Sequence, residues 1–400
     1  MISIEEARRI IGETIIPITV AESVPLTRAH GRTLAMDAIS DVDMPPFNRA
    51  TMDGYAVVAS DGPGEYEVIE YVPAGGYPVE TVTSGKISRI MTGAPVPEGA
   101  DAVIQVEKTD GFVEVGEKAV LKSSMNPGTN IAPKGEDLKT GDTALRAGTL
   151  IGPPEIAVLA TAGVDPVEVF RAPSVAILST GDELVAPDVK PARGQIRDSN
   201  RFSLLAQAAS LEIEPVSLGV ARDDEEDLYN KVMEGAGYDF LIVSGGVSAG
   251  DKDFSIRVLN RVGYETLFHK IRIKPGKPTV FGVNGKGGYV FGVPGNPVSS
   301  MVIFEMFIKS AIRRFSGAPY GHGLSITAAL ENGFRRKSGE REEYVPSWLE
   351  NREGALYARL MPYHGSGHIH ALAGANALVK IPCGETAVEA GSVVEAVILR

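Results

Sequence analysis

The sequence predicts a multidomain α/β plus β protein, in which a doubly wound α/β/α unit is joined to an inserted β domain and a C-terminal β domain. Three observations lead there. At 400 residues the chain exceeds what one core comfortably holds, so two to four folding units are expected. From Ser174 onward, segments that are nearly all apolar alternate with helical ones, as in a parallel sheet covered on both faces. On either side of that stretch the apolar runs are short and alternating, punctuated by many of the 45 glycines and 26 prolines.

Taken in order, Ile4, Ala7, Ile10, Ile11 and Ile15 recur at helical spacing and predict an amphipathic helix over Ser3 to Ile16 that needs a surface to lie against. Residues 45–133 form the β domain, with runs at Tyr66 to Tyr71, Lys86 to Met91 and Ala102 to Glu107 between GPG, AGG, PEG and NPG turns. Residues 134–172 mix turn and helical signals and are expected to return beside residues 1–44 as a discontinuous N-terminal unit. The α/β unit spans 173–318 and closes with a helix from Val298 to Phe315. After the SGAPYGHG linker, the C-terminal β domain occupies 319–400.

Composition narrows function. Charged residues make up 22% and the AVILMFWYC set 44%, which is ordinary globular usage and excludes a disordered or fibrous chain. The formal charge of −12 argues against a nucleic-acid partner, so an anionic ligand would need a local basic patch. Cys383 is the only cysteine, which rules out an intrachain disulfide and a cysteine-based zinc site. No apolar run reaches the ~18 residues that span a bilayer, and the acidic, helix-patterned first residues do not read as a leader. A soluble, cytoplasmic protein with no membrane partner is the expectation.

In open α/β sheets ligands bind beyond the carboxyl ends of the strands. There the sequence places Thr180, Gly181, Asp182 and Glu183, then Asp223 and Asp224, then SGGVSAGDKD with Asp251 and Asp253. The stretch Ser244, Gly245, Gly246, Val247, Ser248, Ala249, Gly250 can turn backbone N–H groups inward to cradle a phosphate, or can be a plain tight connection. Phosphate beside aspartates calls for Mg²⁺ between them, since hard oxygen ligands are what that ion accepts. One of Asp223 and Asp224 serves equally well as a helix cap. In HKIRIKPGKP, alternation puts Lys270, Arg272 and Lys274 on one face, and the Pro-Gly bend adds Lys277. That pattern fits an anion site better than a lysine-defended edge strand. VPGNPVSS supplies a turn and helix start with Ser299 and Ser300. In PPFNRATMDGYA, Asp53 reads from local signals as turn chemistry. His364, His368 and His370 form a loop cluster more consistent with solvated histidines than with a metal site.

Taken as a set, PPFNRATMDGYA, TGAPVPEGADAVIQVE, KGEDLKTGD, LSTGDEL, GQIRDSN, SGGVSAGDKDF, IKPGKP and GVPGNPVSS resemble, in this order, the MoeA family of molybdopterin molybdenumtransferases, which is similar to the E domain of gephyrin. The resemblance implies a homodimer with an α/β domain of the molybdopterin-adenylyltransferase type. It also implies a reaction in which adenylylated molybdopterin and molybdate, with Mg²⁺, give molybdenum cofactor and AMP, and it brings the adenylyltransferase in as a partner. The family's functional positions fall on Asp53, Thr92, Glu183, Asp223, Asp253, Lys270, Lys274, Pro294 and Pro297. Its molybdate lysines fall on Lys274 and Lys277, and an oxyanion-site serine on Ser366. Pro346 departs from the arginine usual at that point of the oxyanion site. Tungsten insertion by the same chemistry, and a non-catalytic gephyrin-like scaffold, are the alternatives.

Overall fold

The computed structural model describes residues 1–246, 254–318, 321 and 323–399. Its organising element is a six-stranded sheet in the order Val216–Ala221, Val175–Thr180, Phe240–Ser244, Tyr289–Val293, Val280–Asn284, Tyr264–Phe268. The first four are parallel, joined by helical crossovers as the sequence alternation requires. The expectation of a wholly parallel sheet fails at Val280–Asn284, which runs antiparallel to both neighbours. The reason is local: only Gly285–Gly288 separates it from Tyr289, too short for a crossover, so the two strands close as a hairpin. Asn284 holds that turn by accepting from the Lys286 and Gly288 N–H groups.

Side chains leave a strand on alternate faces, and both faces here are buried. Val175, Ile177, Phe240, Ile242 and Phe291 point to one core; Ala176, Leu178, Leu241, Val243 and Val290 point to the other. The second face is covered by helices Glu225–Gly235 and Phe254–Val262. The first is covered by Asn200–Ala209 and by one long helix that passes from Pro297–Ile303 through a π segment at Phe304–Ile308 to Lys309–Phe315.

The N-terminal helix, Ile4–Thr14 with Ser3 as its cap, joins this same core through Ile4, Ala7, Ile11 and Ile15. Its partner surface is therefore the α/β layer of its own chain. Residues 134–172 return beside residues 21–39 and not beside this helix: Ala29, Leu34, Ala38, Ile151, Leu159, Val167 and Val169 make a separate small core. There Ala21–Val24 pairs with Val167–Phe170, and Ala38–Ile39 with Thr143–Leu145. Residues between them form a five-stranded sheet in the order Ala102–Gln105, Gly54–Val57, Lys86–Ile90, Gly64–Val72, Lys118–Leu121. In the C-terminal part Glu342–Arg352, Ala355–Leu360, Ser325–Leu330, Val393–Ile398 and Ala377–Ile381 pair around a closed ring. Ile273–Lys274 adds to that ring beside Glu342 and Glu343.

At the amino edge of the large sheet, Asp239 ties the incoming chain to the core. It accepts from Arg171 Nη1 and Nη2 at 2.7 and 2.9 Å and from the Ser174 N–H and hydroxyl, both at 2.7 Å. Burial alone would raise this carboxyl, but the Arg171 and Ser174 donors outweigh it and hold it below the usual aspartate value. Asp239→Asn keeps the shape and loses the charge, so unfolding should become easier by about 1–3 kcal/mol in denaturant titration. A depressed folded value means the stabilisation is complete above the unfolded-chain value and is lost as pH falls through the folded one. The variant and the native chain should therefore converge in acid.

Candidate functional site

Because four strands share a direction, their carboxyl ends open at one edge, and the connecting loops touch there. Gly181 N–H donates to Ala221 O at 3.1 Å, Asp223 N–H to Asp182 Oδ1 at 3.1 Å, and Gly245 N–H to Val293 O at 3.0 Å. Asn200, at the start of its helix, donates to Ser244 Oγ at 2.9 Å and to Gly295 O at 2.8 Å, tying two of the loops together. Thr180, Gly181, Asp182, Glu183, Asp223, Ser244, Gly245, Pro294 and Pro297 are thus brought to one place. Gly245 lies at φ 97°, and a Cβ there would sit 2.7 Å from both the Thr180 carbonyl oxygen and Oγ1. Only glycine fits.

Two sequence expectations change in detail. The Gly245 N–H is engaged by Val293, so it is not a donor to a ligand. Thr180 Oγ1 is instead a buried hydroxyl at this edge with no hydrogen-bond partner among the described residues. Asp224 caps helix Glu225–Gly235, accepting from the Glu226 and Asp227 N–H groups. Asp223 and Asp224 are both exposed, and this leaves Asp223 as the carboxylate of that pair not engaged in capping. Ser299 and Ser300 are buried, and Ser300 Oγ donates to Pro297 O at 3.0 Å, so neither is offered at the surface. Ser248, Gly250 and Asp253 lie outside the described residues.

The lysine segment follows Tyr264–Phe268, which runs with the parallel strands and so delivers it to the same edge. Alternation holds: Ile271 and Ile273 are buried, with Lys270, Arg272 and Lys274 opposite. The anion this face demands is partly inside the chain. Lys274 Nζ lies 2.9 Å from Glu343 Oε1, and Glu343 Oε2 lies 3.3 Å from Arg336 Nη1. Lys277 is exposed on the Pro-Gly bend, and Gly276 packs directly on Ile303. Beside the bend opens a cavity of about 440 Å³ whose walls include Lys274, Arg336, Lys337, Arg341, Tyr363 and His364. Burial, then the Glu343 charge, push the Tyr363 hydroxyl up to about 12, so it stays neutral. Ser366 reaches the edge through its backbone: its carbonyl accepts from Val298 N–H at 3.0 Å at the start of the long helix. Pro346 is buried in its strand opposite Leu378 and contributes no charge.

Asp53 and Thr92 meet in the five-stranded unit. Asp53 Oδ1 accepts from the Thr92 N–H at 2.6 Å and from its hydroxyl at 2.7 Å, bonds that hold the exposed carboxyl below its usual value. Asp53 is therefore fixed by a partner beyond its own turn. Hydrogen bonds and ion pairs among the described residues of 45–133 run within that unit or to Lys134, Gly135 and Glu136, and none ties Asp53 to the sheet edge. His364 and His368 stack at 5.0 Å and His370 stands at 6.3 Å from His368. Among the described residues no group of three or more His, Cys, Asp or Glu is set to hold a metal. Sequence reasoning missed Asn200 and Glu343; the former lies in the GQIRDSN stretch, while no local signal marks the latter.

A doubly wound sheet with a charged, glycine-rich strand edge, flanked by two β units, defines a multidomain α/β class. Residues 2–163 match the family described as MoeA N-terminal region (domain I and II), residues 176–314 the one described as Probable molybdopterin binding domain, and residues 328–399 the MoeA C-terminal region (domain IV). The chain is 35% identical over 390 residues to the molybdopterin molybdenumtransferase of Bacillus subtilis (strain 168), covering 95% of this chain and 90% of that one. It is 33% identical over 381 residues to the protein of that name from Nostoc sp., with 92% and 87% covered. The crystal structure of the molybdopterin biosynthesis moeA protein from Pyrococcus horikoshii OT3 superposes with a TM-score of 0.84 at 33% identity, covering 100% of both chains. The chain belongs to the MoeA family of molybdopterin molybdenumtransferases. No described helix is long and apolar enough to cross a membrane.

Gly245→Ala tests how tightly the edge is built. A side chain at this φ is strained by roughly 1–3 kcal/mol, and its Cβ would force Thr180 away. Thermal unfolding should fall by several degrees, while an alanine at Gly75, which also has positive φ but faces open space, should cost less.

Proposed function

We propose that this chain inserts molybdenum into adenylylated molybdopterin, releasing AMP and forming molybdenum cofactor. The observation that carries this is that the Ser244–Gly246 turn, the Asp182–Asp223 pair and the Lys274–Lys277 bend lie at the same edge of the sheet, in a chain of the MoeA family. The first two fit a phosphoanhydride and the third a small dianion.

Breaking the anhydride requires placement and charge neutralisation more than a nucleophile. In this assignment Ser244, Gly246, Ser248 and Gly250 hold the phosphates, with the Thr180 hydroxyl as a further donor. Pro294 and Pro297 shape the turn beside them, and Glu183 lies over Gly181 at the same edge. The carboxylates suit Mg²⁺: that ion takes hard oxygen ligands, usually one or two carboxylates with substrate phosphate and water. Asp223 and Asp253 would hold it. Bound there, Mg²⁺ would neutralise phosphate charge. Lys277, Lys274, Lys270 and Ser366 orient molybdate, whose metal goes to the dithiolene sulfurs that the pterin itself carries. Asp53 and Thr92 complete the site across a homodimer, a reading supported by their unit making, among the described residues, no hydrogen bond to the sheet edge of its own chain. The molybdopterin adenylyltransferase fits as the upstream partner.

Incubation with adenylylated molybdopterin, Mg²⁺ and molybdate should release AMP with cofactor formation. Asp223→Ala should abolish release with stability changed by less than about 0.5 kcal/mol, as for an exposed carboxylate. Lys277→Gln should raise the molybdate concentration for half-maximal rate and leave pterin-nucleotide affinity nearly unchanged. If the nucleotide weakens instead, the lysines serve its phosphates. Mixing Asp53→Ala with Asp253→Ala chains should restore part of the activity; heterodimers that form and stay inactive would place Asp53 outside a shared site.

A further inference from the structure

Glu343 is a buried carboxylate, 2% exposed, in the wall of a cavity whose other acid-base side chains include the cations Lys274, Arg335, Arg336, Lys337 and Arg341 and no second carboxylate. Its two oxygens face unlike partners. Arg336, on one side, is locked: its guanidinium also donates to the Glu385, Pro382 and Arg341 carbonyls at 2.6, 2.6 and 2.8 Å, and its side chain is 3% exposed. Lys274, on the other, keeps 42% of its side chain exposed, on a long stem that can turn toward the cavity. The register is fixed by backbone, because Lys274 pairs with Glu343 where Ile273–Lys274 joins the ring in parallel. Lys274 can therefore leave without stranding the carboxylate, since Arg336 remains; an unpartnered buried charge would forbid it.

Resting on the oxyanion site proposed above, we propose that Glu343 is a built-in counter-anion that competes with the incoming oxyanion for Lys274 and sets its affinity. A bound dianion must draw Lys274 off Glu343 or share it, and it feels the repulsion of the carboxylate at short range. The oxyanion is thereby held weakly enough to be handed on, and the empty site is not left with excess positive charge. Glu343 acts through Lys274, so it is a positioning residue and not a catalytic one.

The test is calorimetric titration of the full chain with sodium molybdate at fixed ionic strength. Glu343→Gln should tighten binding by about threefold to tenfold, because a negative charge beside the dianion is gone. Lys274→Gln should weaken it by about tenfold or more, as it removes a cation and uncovers the carboxylate. The double variant should recover most of that loss. A merely structural Glu343 gives the opposite signs: weaker binding in Glu343→Gln and a double variant worse than either single one, which overturns the proposal. If Glu343→Gln does not fold, Glu343→Asp carries the test, since it keeps Arg336 and draws the charge back from Lys274. Tighter binding then supports the competition, and equal or weaker binding overturns it. Molybdate binding that ignores both Lys274→Gln and Lys277→Gln overturns the oxyanion site itself, an outcome distinct from lysine-dependent binding that Glu343 fails to modulate.

Discussion

The parallel pairing of Val175–Thr180 with Phe240–Ser244, continued by Tyr289–Val293, is the constraint on which the rest of the molecule depends. Strands that run the same way end at the same edge, so three loops far apart in the chain are forced together before any functional side chain is considered. The register is held by burial on both faces. A slip of one residue would exchange Ile177 and Ile242 for Leu178 and Val243 and set every side chain against the wrong helices. Gly245 shows how little play remains, because its Cα hydrogen already faces the Thr180 carbonyl at a distance no methyl could share.

The lysine bend extends that edge into the C-terminal ring. Ile2 N–H donates to Lys270 O and Arg272 N–H to Ile2 O, so the start of the chain is stitched to the same segment that adds a strand beside Glu343. Three parts of the fold thus fix one short stretch. The Asp53–Thr92 pair stands in contrast: its unit has its own cores around Tyr55 and Ile90 and hydrogen bonds that stay within it or reach its flanking residues. A position supported that independently is suited to meeting a partner surface.

What the sequence made legible follows from short-range physics. Alternation of all-apolar and amphipathic segments revealed the doubly wound sheet, and carboxylates just ahead of a helix marked one of Asp223 and Asp224 as its cap, which is Asp224. The NGKGG turn between Val280–Asn284 and Tyr289–Val293 carries a local signal for the antiparallel hairpin. Contacts made through space carried no signal. Nothing near Lys274 announces Glu343, and Ser366 docks by its carbonyl, a group every residue has. The helix Ile4–Thr14 was evident from its spacing, whereas the identity of its partner was not, because an apolar stripe does not specify which surface it covers.

The central claim is that the oxyanion and the pterin nucleotide are brought together at the carboxyl edge of this sheet. Tungstate is electron-dense and has the charge and nearly the size of molybdate, so anomalous diffraction from crystals of the full chain soaked in it locates the site directly. A peak is expected in the cavity lined by Lys274, Arg336, Tyr363 and Gly365, beside the bend that carries Lys277, and it is expected to be lost in Lys277→Gln crystals. A peak instead at the amino edge, in the cavity of about 370 Å³ between Arg32, Arg313 and Ser210–Ile213, would contradict it.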